Sequence, residues 1–256
     1  MKQPRSILIT GASSGIGAAL ARAYAAPGVS LALVARDAER LAATAAACRG
    51  RGAEAVTAIL DVTDAAAMAA WIEAHDRTAP IDLAIANAGV SGGTGGDIEP
   101  EERTRHIFAV NVAGMLNTVL PLVAPMRRRR HGQIALMSSL ASFRGFPGAP
   151  AYCASKAAVR VYGEALRGAL HGDGVGVSVL CPGFVESPMT AVNKFPMPML
   201  MSAERAAGII RRGLARNRPR IAFPFPMYML VWALGALPAM LTDPLFRRLP
   251  AKGATR

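Results

Sequence analysis

Lysine is scarce in a chain that is otherwise strongly basic. Among its 29 Lys and Arg side chains the lysines stand only at positions 2, 156, 194 and 252, so arginine carries nearly all of the +12 formal charge. Cysteine is scarce too. Cys48, Cys153 and Cys181 are odd in number and lack C-x-x-C spacing, which argues against a disulfide framework and against a zinc site. His75, His106, His131 and His171 are scattered without ligand spacing, so no metal is expected. Aromatic residues are 5% of the chain against 52% hydrophobic content, so Ala, Val, Leu and Ile must build the core, as in parallel strands between alanine-rich helices. The opening MKQPRSILITGASSGIG has only a short apolar run before a glycine turn, less than a signal-peptide core needs, and predicts an intracellular, cytoplasmic protein. With no composition shift and no repeat, the chain reads as one domain over 1–256.

The positive charge raises nucleic acid, an anionic membrane or a phosphorylated ligand as partners. The arginines, however, are spread along the chain. The one dense run, RRRRHG at 127–132, has no interleaved aromatics and reads as a solvated helix C-terminus, so nucleic acid is not expected.

What the chain does have is alternation. Apolar runs of strand length lie at 5–10, 30–35, 55–60, 82–86, 133–138, 176–181 and 220–223, and helical patterns at 15–26, 37–50, 64–77, 101–130, 151–171 and 203–216 separate them. This predicts an α/β fold of the Rossmann type, a doubly wound parallel sheet of about seven strands. Ligands of such sheets bind beyond the carboxyl ends of the strands, so the segments after each strand carry the functional reading. Three are long and irregular: 87–100, 139–150 and 182–201.

After the first strand comes TGASSGIG, where Gly11, Gly15 and Gly17 let the backbone approach a pyrophosphate at a helix N-terminus. After the fifth comes APAYCASKAAVR, 149–160, which sets Tyr152 and Lys156 one helical turn apart. With four tyrosines and four lysines in 256 residues, such a pair is expected by chance about 0.06 times. From these residues the chain resembles the short-chain dehydrogenase/reductase family, whose nucleotide motif has the form T-G-x-x-x-G-x-G. The likeness recurs at DVTD (61–64), NAG (87–89, with Ala86 where the family commonly has a first asparagine), VNVAG around Asn111, MSSLAS around Ser139 and PGFVESPM (182–189).

The resemblance implies an NAD(P)-dependent oxidoreductase acting on an alcohol/carbonyl pair. Tyr152 would be the general acid/base, Lys156 would lower the phenol pKa and bond the nicotinamide ribose, Ser139 would polarise the substrate oxygen, and Asn111 would hold a water linking Lys156 to solvent. It places the cofactor against Gly11, Ser13, Ser14, Gly15, Ile16 and Gly17, with Asp61 and Val62 at the adenine and Asn87, Ala88 and Gly89 beside the chain. Pro182, Gly183, Val185 and Ser187 would meet the nicotinamide end. Homo-oligomers, dimers or tetramers, are the family expectation. The physical reason for a lysine four residues from a tyrosine is that a phenol with pKa near ~10 exchanges protons poorly at neutral pH, and a neighbouring ammonium favours the phenolate.

Cofactor choice turns on the end of the second strand, LVARDAERL. An NAD site needs an acid there for the ribose 2′-OH, whereas Arg36 can fork onto a 2′-phosphate, with Ser13 adding a hydrogen bond; Asp37 can also simply cap the next helix. The sequence therefore predicts NADP(H), with NAD(H) as the alternative. A methionine-rich stretch, Met189–Met201, reads as part of a substrate lid over about 186–203. Beyond it, 224–250 is apolar, but Pro238 interrupts it and the run 227–241 is shorter than the ~20 residues that span a bilayer. It predicts either a helix buried against the domain or a sister subunit, or a segment lying in a membrane interface. In the second case Arg211, Arg212, Arg216, Arg218, Arg220, Arg247 and Arg248 would meet headgroups, and Tyr228 and Trp232 would lie at the interface. Either placement next to the lid predicts a lipophilic substrate.

Overall fold

The structure, a computed structural model, describes residues 3–92, 98–193 and 195–246. Seven strands form one wholly parallel sheet: β1 (Ser6–Thr10), β2 (Ser30–Ala35), β3 (Glu54–Ile59), β4 (Leu83–Ala86), β5 (Gly132–Met137), β6 (Val175–Pro182) and β7 (Arg220–Phe223). Their order is β3-β2-β1-β4-β5-β6-β7. The chain winds outward from β1 to β3, then returns to pair β4 with the other side of β1. The switch point thus lies between β1 and β4, where the residues after Thr10 and Ala86 open a crevice. Each strand runs within a residue of the apolar run that predicts it, because β1, β4 and β5 are buried on both faces and leave no polar alternation.

Helices cover both faces. On one, α1 (Gly15–Tyr24), α2 (Ala38–Arg49) and α8 (Ala203–Ala215) enclose Ile7, Ile9, Leu31, Leu33 and Ile210. On the other, α3 (Ala65–Thr78), α5 (Gly114–Arg128) and α6 (Pro150–Ala169) enclose Leu8, Val34, Leu136, Met126 and Val177. Between α4 (Glu101–Phe108) and α5 the chain makes one π-turn, Ala109–Ala113, so the helix predicted over 101–130 carries a wide turn centred on Asn111. Turns of this kind gather at functional positions.

Two expectations are corrected. The arginine run at 127–132 is not simply solvated: Arg129 bonds Asp76 at 2.9 Å and the Ile81 carbonyl at 2.6 Å, joining the end of α3 to the start of β4. Tyr228 does not face outward. It lies on α9 (Phe225–Ala236), with its ring against Phe143 and its hydroxyl accepting from Arg220 at 3.1 Å. Chain direction breaks at Leu237–Pro238 before α10 (Ala239–Phe246). Arg247 and Arg248 lie outside the described residues.

Candidate active site

β5 delivers two serines to opposite sides, as strand alternation requires. Ser138 Oγ donates to the Lys156 carbonyl at 2.8 Å, anchoring α6. Ser139 faces the crevice instead, caps the short turn Leu140–Ser142 by accepting from Ala141 N at 3.1 Å, and hydrogen-bonds the Tyr152 phenol. Pro150 at the start of α6 presets its first turn, so Tyr152 and Lys156 emerge one turn apart. Lys156 is 4% exposed; its Nζ donates to the Met137 carbonyl at 2.9 Å and lies 5.7 Å from the Tyr152 ring centre.

Burial dominates the electrostatics here. Burial pushes the Tyr152 phenol up to about 12, against the downward pull of Ser139. Burial also brings the Lys156 ammonium down to about 8. The Lys156 ammonium donates to Met137 O and stands over the Tyr152 ring. The hydrogen bond from Ser139 is the local feature that favours phenolate.

Asn111 is 1% exposed and makes three hydrogen bonds within the protein. Its Oδ1 accepts from Val90 N at 2.8 Å, and its Nδ2 donates to Val90 O and to Ser155 Oγ, each at 2.9 Å. It therefore ties the loop after β4 to α6. A methyl group at Gly89 would lie 3.1 Å from both Asn111 Oδ1 and Lys156 Nζ, so these two polar atoms flank one backbone position.

The glycine turn is built for close approach. Gly11 and Gly15 take φ of +67° and +51°, and a Cβ at Gly17 would stand 2.2 Å from Gly11 O and 2.5 Å from Asn87 Nδ2. Ser14 is the N-cap of α1, with Ile16 in its first turn; Ser13, Ser14, Gly15 and Arg40 line a cavity of about 280 Å³. Asn87 locks the turn from across the crevice by donating to Thr10 O at 2.9 Å, while Ala88 N and Asn87 N both donate to Thr10 Oγ1. Arg36, at the end of β2, lies 3.3 Å from Asp61. Burial raises the Asp61 carboxyl, but two hydrogen bonds from Thr63 and the Arg36 charge outweigh it and hold the pKa below the usual value. Asp37 caps α2 through Arg40 N at 2.9 Å and pairs with Arg40 Nε at 2.7 Å. Val62 is buried against Gly114.

Beyond β6, the Pro182 carbonyl lies 3.4 Å from Ser139 Oγ, and a Cβ at Gly183 would touch Pro224, Met227 and Leu140. Val185 and Met201 form a parallel bridge that closes the base of the segment between them. Ser187 caps the short helix α7 (Pro188–Ala191) and lies against Gly15, at the mouth of the glycine turn. The predicted residues thus follow the carboxyl ends of β1 to β6, with Arg36 and Asp61 paired beyond β2 and β3, apart from Asn111, Tyr152 and Lys156, which stand on helical turns. Sequence reasoning missed three residues. Thr10 holds Asn87, Arg40 lines the cavity beside Ser13, and buried Glu99 accepts from Ala151 N at 3.0 Å, next to Tyr152. A cavity of about 540 Å³ lies beside the cluster, lined by Phe143, Arg144, Phe146, Cys153 and Asp243.

Residues 5–195 match the family model for short chain dehydrogenases. An uncharacterized oxidoreductase of Myxococcus xanthus is 39% identical over 96% of this chain and 97% of its own. The 1-deoxy-11-beta-hydroxypentalenate dehydrogenase of Streptomyces exfoliatus is 34% identical over 84% of this chain and 82% of its own. Among solved structures, a short-chain dehydrogenase from Sphingobium yanoikuyae in complex with NADPH superposes with a TM-score of 0.78 at 26% identity, covering 96% of both chains. A glycine cradle, a buried Ser-Tyr-Lys cluster and these matches lead to one assignment: the chain belongs to the short-chain dehydrogenase/reductase family of oxidoreductases, which bind nicotinamide cofactors.

Proposed function

We propose that the protein is an NADP(H)-dependent oxidoreductase of an alcohol/carbonyl pair with a lipophilic substrate. The observation that carries this reading is the convergence of Ser139, Tyr152 and Lys156 at the switch-point crevice, beside a glycine turn that no side chain could share. The nicotinamide, when bound, supplies or accepts the hydride. Gly11, Ser13, Ser14, Gly15, Ile16 and Gly17 would hold the pyrophosphate end, Asp61 and Val62 the adenine, Asn87 to Gly89 the flank, and Pro182, Gly183, Val185 and Ser187 the nicotinamide end.

Ser139 holds the substrate oxygen near the Tyr152 hydroxyl, from which the proton moves to or from that oxygen. Lys156, brought down to about 8 by burial, stays mostly charged at neutral pH yet gives up its proton more readily than an exposed lysine, which suits a group that relays the proton onward. Asn111 fixes the loop and helix that flank Lys156.

Support for the 2′-phosphate comes from charge. Arg36 and Arg40 stand around the end of β2, and the nearest acid that could serve a ribose 2′-OH, Asp37, is committed to capping α2 and pairing Arg40. Support for a lipophilic substrate comes from Leu140 and Met227, which meet over Gly183. The test compares kcat/KM for NADPH and NADH with a panel of long-chain, alicyclic and steroid-like carbonyls. NADPH should be preferred, and Arg36→Gln should lower its kcat/KM by roughly 10–100-fold, the worth of a charge-assisted bond, leaving NADH little changed. A wild-type preference for NADH, or an Arg36→Gln variant that keeps the NADPH preference, would overturn the cofactor assignment.

A further inference from the structure

The sequence contains no charged residue between Arg220 and Asp243, and the structure shows which side of that segment is left uncovered. Helix α9 packs Met227, Tyr228 and Val231 onto Leu140, Phe143, Val179 and Cys181. Its other side carries Phe225, Met229, Leu230 and Trp232, exposed by 68, 40, 59 and 47%, and the apolar surface continues through Leu237, Met240 and Leu241. Contiguous exposed apolar surface of this kind marks a contact site.

The rim of this surface is basic. Phe225 and Tyr228 also line a cavity of about 510 Å³ whose other walls include Arg212, Arg216, Arg218 and Arg220, and no carboxylate is among its lining residues. Arg220 is held by Glu164 and Tyr228, whereas Arg212, Arg216 and Arg218 are exposed. A second copy docking through a two-fold would present this same patch to itself, arginines included, and the acids at its edge, Glu164 and Asp243, are already paired with Arg220 and Arg144. Apolar side chains bordered by arginines, with tryptophan among them, match instead an acyl boundary beneath anionic headgroups.

We infer that α9 and α10 dock the protein on an anionic lipid surface, with Phe225, Met229, Leu230 and Trp232 entering the acyl boundary and Arg212, Arg216 and Arg218 meeting headgroup phosphates. The inner face of the same helix reaches Gly183 through Met227, so docking brings the rim of the crevice to the bilayer. This inference rests on surface and charge, and stands apart from the reading of the redox chemistry.

The experiment sediments the full-length protein with vesicles of phosphatidylcholine alone or mixed with phosphatidylglycerol, at low and high salt. Binding should need the anionic lipid and weaken with salt. The triple variant Arg212→Gln, Arg216→Gln, Arg218→Gln should bind about 100-fold more weakly, the equivalent of roughly 1 kcal/mol per arginine. In a Trp71→Phe background, Trp232 emission should shift to the blue on anionic vesicles and be quenched by brominated acyl chains. Folding of each variant is checked by circular dichroism and NADPH binding, which exposed substitutions should leave intact. Protein that stays in the supernatant with anionic vesicles at low salt would overturn the inference, as would binding without quenching of Trp232. Trp232→Ser lowering the oligomeric mass of a protein that ignores vesicles would show that a sister subunit covers the helix instead.

Discussion

Burial of Lys156 leaves a signature in stability that can be read without substrate. Its pKa in the fold is about 8 against the ordinary 10.5. Below about pH 8 the ammonium is charged in both states, and the folded state bears the full cost of desolvation. Between about 8 and 10.5 the unfolded chain holds the extra proton, so stability from this group rises with pH through that window and the cost is gone above it. Lys156→Met should therefore be more stable than wild type by about 1–3 kcal/mol at neutral pH, with the gain shrinking as pH rises through the window. Chemical denaturation across pH 7 to 10.5 checks this; a gain that does not depend on pH would mean that Lys156 is not desolvated as described. Neighbouring Tyr152 is raised by burial and contributes the opposite trend only above the ordinary tyrosine value of 10.0.

At the scale of elements, the π-turn around Asn111 is the joint on which the site depends. Three hydrogen bonds converge on that one amide, linking the loop after β4 with α6. Asn111→Ala would strand the Val90 N–H and C=O and free Ser155, and should destabilise the fold by roughly 2–4 kcal/mol as well as slow turnover. Asn111→Asp should rescue little, since it keeps the acceptor for Val90 N and loses both donors. Thermal melts of the two variants decide it, and an unperturbed melt of Asn111→Ala would remove the joint from the account. In the sequence this turn was not legible. Asparagine inside a helical run has an ordinary local reading, and the wide turn answers to partners 21 and 44 residues away. The glycine turn and the Tyr-Lys pair were legible because their geometry is local: positive φ at Gly11 and Gly15, and one turn of α6. The strand runs were legible because both faces of β1, β4 and β5 are buried. Arg129 was misread as solvated because its partners, Asp76 and Ile81, come from other elements. The orientation of α9 was equally hidden, since a helix apolar on every side has no pattern to say which side packs. That choice falls to Phe143, whose carbonyl would lie 2.2 Å from a Cβ at Gly235 and whose ring meets Tyr228.

Considered whole, the molecule brings three groups of residues to one rim of its sheet. The β1–β4 switch point holds the glycine turn, β5 and α6 hold Ser139, Tyr152 and Lys156, and the stretch around the Val185–Met201 bridge together with α9 and α10 borders them. These bordering segments are each tied down. The Val185–Met201 bridge closes the stretch after β6, and Arg144 holds α10 through Thr242 at 3.0 Å and Asp243 at 2.7 Å. Residues distant in sequence thus meet in a site whose central claim is proton exchange at the Tyr152 hydroxyl. The most direct test is single-turnover reduction of a lipophilic ketone by NADPH, comparing wild type with Tyr152→Phe while cofactor affinity is measured in parallel. The account predicts unchanged NADPH binding and a rate lower by roughly 10²–10⁴-fold in the variant; a Tyr152→Phe enzyme that turns over near the wild-type rate would contradict it.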